Sequence, residues 1–177
     1  FHKLERLKKE DPDVHIQWEE AENREVIDKI LQQAIDAGFV IGNIGWEDLY
    51  AKEVYQCGMD ALVYEGHPFY DRDELSIGDL RHEPLLTLNE RFYCYHSFVE
   101  RCRDFGFIPL IRIKTMKNQL IYRFCREKMG IGIDTAIHKD DIKMDGLRRI
   151  RLKDALPWRI SIVCRKDHKK EKMIQKL

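Results

Sequence analysis

Short apolar segments alternate with helical patterns along most of the 177-residue chain, and this alternation narrows the fold more than any single motif does. Between Val26 and Ile35 the apolar positions fall three and four residues apart, which predicts a helix. Residues 36–42 then form a short apolar run, typical of a strand that is buried on both faces of a parallel sheet. Strands interleaved with helices predict an α/β architecture with largely parallel sheets.

The same alternation predicts the remaining elements. The predicted helices are residues 1–10, 26–35, 92–105, 117–128 and 167–177, with a helical turn at residues 77–80. The predicted strands are residues 14–18, 36–42, 54–65, 84–88, 109–113, 130–133, 150–152 and 158–164. These strands are too many for one small sheet, so we expect two lobes. Lobe I is expected to hold residues 1–62 and 160–177, and lobe II residues 63–159, which gives two crossing segments.

Charge and cysteine usage exclude several classes of protein. Lys and Arg together number 31, as do Asp and Glu, so the formal net charge is +0, whereas a domain that itself grips nucleic acid carries a basic surplus. No apolar run approaches the length of about 18 residues that spans a bilayer. The five cysteines are scattered without CxxC spacing, which argues against a disulfide framework and a zinc site. We therefore expect a cytoplasmic protein with no membrane partner, no metal and no cofactor.

The sequence contains no recognisable catalytic constellation. It has no HExxH motif, no paired His and Cys spacing, and no nucleophile elbow. We expect a chain that is not an enzyme. An α/β enzyme stays open as an alternative, because catalytic groups also assemble from distant positions.

Seven stretches, in the right order over most of the chain, resemble the effector-binding domain of LysR-type transcriptional regulators. They are residues 12–14, 36–39, 60–68, 75–86, 105–109, 129–133 and 162–167. The resemblance implies two Rossmann-like lobes of the periplasmic-binding-protein type II fold, joined by two crossover strands, with a small effector in the cleft. It also implies transcription regulation, a homodimer or higher homo-oligomer, and DNA contact only through a winged helix-turn-helix domain that precedes this region. The family's first strand, with a loop bearing Ser or Thr, is expected before Phe1.

Topology and the resemblance together select the candidate ligand-binding residues. Effectors of open α/β lobes bind beyond the carboxyl ends of the strands, where loops lead into helix N-termini. The candidates are Asn23, Ile41, Gly42, Asn43, Leu88, Asn89, Thr115 and Asn118. Asn23 has a second interpretation as a helix cap, and Asn89 as a residue that caps its own loop.

The charged residues near these turns have two interpretations. Arg24, Arg112, Lys114 and Lys117 either favour an anionic effector or are simply solvated. The basic run at residues 148–151 and the tail at residues 166–176 are interpreted as a solvated face, because no stacking aromatics interleave them.

Two further functions stay open beside the regulator hypothesis. A solute-binding protein of a transporter has the same general fold. A thiol-based redox sensor is the other alternative, since peroxide-sensing members of the resembled family use two cysteines spaced about as far apart as Cys94 and Cys102. On a continuous helix these two thiols lie about 12 Å apart by the 1.5 Å rise, too far for a disulfide. Packing of Cys102 in the core is the competing interpretation.

Overall fold

The computed structural model describes residues 9, 15–42, 45, 47–138, 144–168 and 174. Contacts divide these residues into two compact units. Unit 1 holds the described residues up to Gln56 and from Arg159 onward, and unit 2 is Cys57–Trp158. The chain therefore passes between the units twice. The helices predicted at residues 1–10 and 167–177 lie wholly or largely outside the described residues.

The described residues contain three α-helices, one 3₁₀ turn at Ile77–Leu80, a shorter one at Ala136–His138, and nine strands. The helices are α1 (Asn23–Leu31), α2 (Tyr93–Asp104) and α3 (Asn118–Arg126). The strands are β1 (Gly38–Ile41), β2 (Leu49–Cys57), β3 (Met59–Tyr64), β4 (Glu74–Leu75), β5 (Leu85–Leu88), β6 (Ile111–Thr115), β7 (Ile131–Thr135), β8 (Leu147–Leu152) and β9 (Trp158–Arg165).

Unit 1 packs one helix against a three-stranded sheet. The strand order is β1-β9-β2, and β1 runs antiparallel to β9. The apolar spacing of α1 places Val26, Ile27 and Ile30 on one buried face. That face packs with Val40 of β1 and Val163 of β9, which fixes the helix on the sheet.

Unit 2 is a six-stranded sheet covered by a helix on each face. The strand order is β4-β8-β3-β7-β5-β6. Because strand side chains alternate between faces, Ala61 packs on the side of Phe98 in α2. Leu62, one residue further, packs on the side of Ile121 in α3. Strand β5 is parallel to both β6 and β7, so the carboxyl ends of these three strands meet at one edge of the sheet.

A carboxylate from the end of unit 2 holds the 3₁₀ turn at Ile77–Leu80. The Asp154 side chain accepts hydrogen bonds from the Ser76 hydroxyl at 2.6 Å and from the Ile77 backbone N–H at 2.8 Å. Burial alone would raise the pKa of Asp154, but these two hydrogen bonds lower it below its ordinary value. Their contribution to stability is therefore present above the ordinary carboxyl pKa and is lost as the pH falls through the depressed one.

Three sequence-based predictions about strands are wrong. Residues 15–18 form no strand and are exposed, since none of the described strands pairs with them, although the Trp18 ring centroid lies 5.7 Å from that of Phe39 in β1. The segment predicted as one strand at residues 54–65 is two strands, β2 and β3, separated at Gly58. The sheets are not largely parallel, since β3 is antiparallel to both of its neighbours and β1 is antiparallel to β9. Pairing direction is set by contacts between distant segments, which periodicity does not record.

Close packing at the start of β7 yields a test of the fold. A Cβ on Gly130 would lie 2.3 Å from the carbonyl oxygen of Pro84, a backbone atom that cannot rotate away. We expect Gly130→Ala to lower the free energy of unfolding by about 3 kcal/mol, at the upper end of overpacking costs. Urea unfolding measures this loss. The control is Gly58→Ala, where nothing lies within 4 Å of the added Cβ, and equal stability of the two variants would contradict the packing described.

Candidate functional site

Three of the predicted residues come together where β5 and β6 end. Leu88 of β5 is the register partner of Thr115 of β6. The backbone N–H of Asn89 donates to the Thr115 carbonyl at 2.8 Å, so the parallel pairing continues one residue beyond β5. We call this place, together with the first residue of α3 and the end of β7, the strand-end edge of unit 2.

The polar side chains of this edge are partly engaged in local turns. The Thr115 hydroxyl oxygen accepts from the Lys117 backbone N–H at 3.2 Å. The Asn89 Oδ1 accepts from the Arg91 N–H at 3.2 Å, which agrees with the loop-capping interpretation. The Thr115 hydroxyl proton and the Asn89 side-chain NH₂ have no acceptor among the described residues, so both are available as donors to a ligand.

The fourth predicted residue of this edge, Asn118, contacts Asp134, which was not among the predicted site residues. Asn118 is the first residue of α3, and its Nδ2 donates to Asp134 Oδ1 of β7 at 3.3 Å. Through this contact the end of β7 joins the ends of β5 and β6.

A small pocket opens beside the edge. Its lining is mostly apolar with a few polar groups, the composition of many ligand sites. The lining residues are Met59, Thr87, Leu88, Cys94, Tyr95, Phe98, Ile133 and Asp134. The pocket has room for about one water-sized group, so its importance is that it places apolar side chains beside the polar edge.

Asp134 belongs to a buried ionic network with Arg149, Asp60 and Tyr122. Arg149 Nη2 lies 3.2 Å from Asp134 Oδ2, and Arg149 Nη1 lies 3.4 Å from Asp60 Oδ2. The exposed fraction of the side chain is 12% for Arg149 and 2% for Asp134. The Tyr122 hydroxyl donates to Asp134 and accepts from Arg149. One guanidinium therefore pairs with carboxylates on two strands.

The network corrects the interpretation of residues 148–151 as a solvated basic face. Arg149 is buried in ion pairs, and Arg148 donates to the Tyr70 carbonyl at 3.0 Å and to Asp73 at 3.1 Å. Only the alternation of the strand carried a hint, since Arg149 shares a strand face with the buried Leu147. Asp60 and Asp134 are a stronger indication in the sequence, because a carboxylate inside a largely apolar strand needs a buried cation as its partner.

The network alters the pKa of two of its members. Burial raises the pKa of Tyr122 first, and the neighbouring Asp134 raises it further, so the phenol stays protonated. Burial would lower the pKa of Arg149, but Tyr122, Asp134 and Asp60 outweigh it and raise this pKa above its ordinary value. The arginine is therefore a permanent cation in this site.

Of the four cations near these turns, Lys114 and Arg112 have partners within the chain. Lys114 Nζ lies 3.4 Å from Glu90 Oε1 and 5.2 Å from the Tyr95 ring centroid. Arg112 donates to the Met129 carbonyl at 3.2 Å. These contacts weaken the case for an anionic effector at this edge.

Of the predicted residues in unit 1, Asn23 and Ile41 are joined directly. The Asn23 side chain donates to the Ile41 carbonyl at 2.6 Å and accepts from the Ile41 N–H at 3.1 Å. Asn23 therefore latches α1 to β1 and is not the helix cap, a position held by Glu22. Gly42, with φ of 95°, donates its N–H to the Arg159 carbonyl at 3.0 Å. Asn43 lies outside the described residues.

The two cysteines of the redox alternative lie on the same helix and are poor thiolates. Cys102 is fully buried in the core that faces α2, whereas Cys94 lines the pocket. Burial raises the pKa of Cys94 to about 11 and that of Cys102 to about 12. A peroxide-sensing thiol needs the opposite shift, because the thiolate is the nucleophile.

The described residues show neither a metal-binding cluster nor a membrane-spanning helix. No group of three or more His, Cys, Asp or Glu side chains there is arranged to hold a metal ion. None of the helices in that part of the chain combines the length and apolar character that crossing a membrane requires.

The polar edge lies at the carboxyl ends of parallel strands, the place where open α/β domains generally bind ligands. The profile of the LysR substrate binding domain matches residues 2–177, so the chain belongs to the LysR substrate binding domain family. The two-unit α/β fold is thus the periplasmic-binding-protein type II-like fold of that family.

Relatives and solved structures agree with this family. The chain is 21% identical over 137 residues to the HTH-type transcriptional regulator SsuR of Burkholderia cenocepacia, covering 77% of this chain and 44% of that regulator. The effector binding domain of a BenM variant superposes with a TM-score of 0.84 at 18% identity, covering 99% of this chain and 83% of that one. The BenM domain with its effector benzoate gives a TM-score of 0.82 at 19% identity, covering 97% and 79%.

Removing the cation tests the buried network. We expect Arg149→Met to lower the free energy of unfolding by about 3–5 kcal/mol, because two buried carboxylates lose their counterion. The matched control is Arg151→Met, an exposed position on the same strand, which should change stability by less than about 0.5 kcal/mol. Urea unfolding of both variants is the measurement, and equal values would show that the ion pairs contribute nothing.

Alkylation of Cys94 tests its raised pKa. Because the thiolate reacts and the pKa of Cys94 is about 11, we expect the rate with iodoacetamide to rise about tenfold per pH unit between pH 7 and 10. Mass spectrometry of the modified peptide gives the rate. A rate that levels off near pH 7 would contradict the raised pKa and revive the redox alternative.

Proposed function

We propose that this chain is the effector-sensing domain of a LysR-type transcriptional regulator, and that the strand-end edge of unit 2 contacts the effector. The observation that carries the proposal is the coincidence of the family match with a polar edge beside an apolar pocket. The edge supplies donors from Thr115 and Asn89, and the small pocket beside it has a mostly apolar lining.

The role of the whole protein is part of the same proposal. The chain spans less than half the length of the curated relatives it matches, and those relatives are named as helix-turn-helix transcriptional regulators. DNA contact is therefore assigned to a separate DNA-binding domain, in agreement with the net charge of +0. A cytoplasmic homo-oligomer that binds its effector without catalysing a reaction is the form that this family membership favours.

Effector binding would act by shifting a conformational equilibrium. A small molecule that binds one state of the regulator more tightly than the other populates the first state. Its free energy of binding to the two states must therefore differ, commonly by about 1–3 kcal/mol in allosteric proteins. The BenM domain was crystallised with benzoate as its effector, so a small organic acid is one class to test here.

A thermal-shift screen of the intact protein with a library of small metabolites, benzoate included, tests the proposed site. A ligand at 100 times its Kd adds about 2.7 kcal/mol of stability. Thr115→Ala and Asn89→Ala should each reduce the shift, because each removes a donor from the edge while leaving the unliganded protein folded.

Gln119→Ala is the control, since Gln119 is an exposed polar residue that follows the edge in α3. It should keep the full shift. If both site variants keep it as well, the effector binds elsewhere and the assignment of this edge is wrong. The sequence of the same polypeptide upstream of Phe1 separates the transport alternative, since a helix-turn-helix pattern there supports regulation and a cleavable apolar segment supports solute transport.

A further inference from the structure

Resting on the proposed function, we infer that Asp134 and Arg149 position Asn118 so that its amide oxygen faces the effector. The edge would then select effectors that place a hydrogen-bond donor, a hydroxyl or an ammonium group, at this point. Asp134 and Arg149 are positioning residues in this account, because they act on the effector through Asn118.

The Asp134 carboxylate is fully used by the protein. Its Oδ1 accepts from Asn118 Nδ2 at 3.3 Å and from the Thr135 N–H at 2.8 Å. Its Oδ2 accepts from the Tyr122 hydroxyl and lies 3.2 Å from Arg149 Nη2. These contacts occupy the acceptor positions of an ionised carboxylate, whose side chain is 2% exposed, so direct contact with a ligand is not its role.

The Asp134 carboxylate determines the orientation of the Asn118 side-chain amide. An ionised carboxylate only accepts hydrogen bonds, so the NH₂ of Asn118 must face Asp134. The amide oxygen then points away from that contact and accepts no hydrogen bond among the described residues. Asn118 is half-buried at the strand-end edge, so this oxygen is an acceptor available to a ligand.

Arg149 holds the Asp134 carboxylate in place, and that carboxylate in turn orients Asn118. The strand order β8-β3-β7 means that Arg149 reaches across β3 to the end of β7. It contacts Asp60 of β3 on the way and lies 3.4 Å from the Thr135 carbonyl. Because a guanidinium only donates hydrogen bonds, the Asp134 oxygen that faces Arg149 acts as an acceptor.

The surroundings of Asp134 guide the choice of probes. Asp134 lines a small pocket beside Ile133, Phe98 and Met59, so apolar side chains lie near the acceptor of Asn118. Benzyl alcohol and benzylamine are compact probes that join an apolar ring to a donor. Benzoate has the same ring but, when ionised, offers only acceptors.

The positioning is tested by NMR of the intact protein labelled with ¹⁵N-asparagine. The chain has four asparagines, and Asn118→Ala identifies the side-chain amide signals of Asn118 by their loss. We expect these signals to be dispersed and slow to exchange with water in the parent. In Asp134→Asn they should move to the positions of a free amide, because Arg149 only donates and takes the oxygen of the new side chain, which leaves its NH₂ facing Asn118.

Asp154→Asn is the matched control. It removes another partly buried carboxylate of unit 2 that contacts the 3₁₀ turn and not Asn118, so the Asn118 signals should stay in place. Should Asp134→Asn fail to fold, Arg149→Lys serves instead, since it keeps the charge but loses the fork that spans Asp60 and Asp134. Unchanged Asn118 signals in the folded variant would overturn the positioning.

The same signals report ligand selection. Benzyl alcohol and benzylamine should shift them at concentrations about tenfold below those needed with benzoate, the effect of one added hydrogen bond. Equal responses, the reverse order, or no response to either donor would overturn the selection of a donor. The orientation of the Asn118 amide is measured without an effector. The proposed function is tested separately, and it fails if no metabolite gives a thermal shift that depends on Thr115 and Asn89.

Discussion

One buried guanidinium holds together the part of unit 2 on which the site depends. Asp60 and Asp134 are register partners on β3 and β7, in a sheet whose two faces are covered by apolar clusters. Two neighbouring carboxylates in such surroundings are costly unless a cation neutralises them. Arg149 does this from β8, so three strands are tied by charge as well as by their backbone hydrogen bonds. Because Asp134 stands at the end of β7, the ionic network is continuous with the strand-end edge.

The edge itself follows from strand direction. Strands β5, β6 and β7 run parallel to one another, so their carboxyl ends and the start of α3 converge on one place. Hydrogen bonds within the turns use some polar groups of the edge and leave others available to a ligand. The Thr115 and Asn89 side chains each accept a backbone N–H and keep a donor. The edge thus keeps donors on Thr115 and Asn89 and an acceptor on Asn118. Membership of the LysR substrate binding domain family supports the proposal that this edge senses an effector.

Local patterns predicted more of this fold than of its site. The helix expected at residues 92–105 is confirmed as α2, because an amphipathic period and the closing Gly106 are both local signals. The strand expected at residues 14–18 is wrong because alternation describes a strand only when a neighbour covers its apolar face. Leu88, Asn89 and Thr115 were selected from topology, and the structure brings them together, but their contact with an effector stays a prediction. Arg149 was missed because its burial depends on carboxylates 89 and 15 residues away in sequence, which no local pattern links to it.

The most direct test of the account is backbone-amide NMR of the intact protein while pools of small metabolites are added. Effector sensing at the strand-end edge predicts that a binding compound shifts the amides of residues 87–89, 115–118 and 134–135 together, at one saturating concentration. A compound that binds tightly and shifts only amides remote from these, such as those around the exposed Ile108 and Leu110, would contradict the central claim.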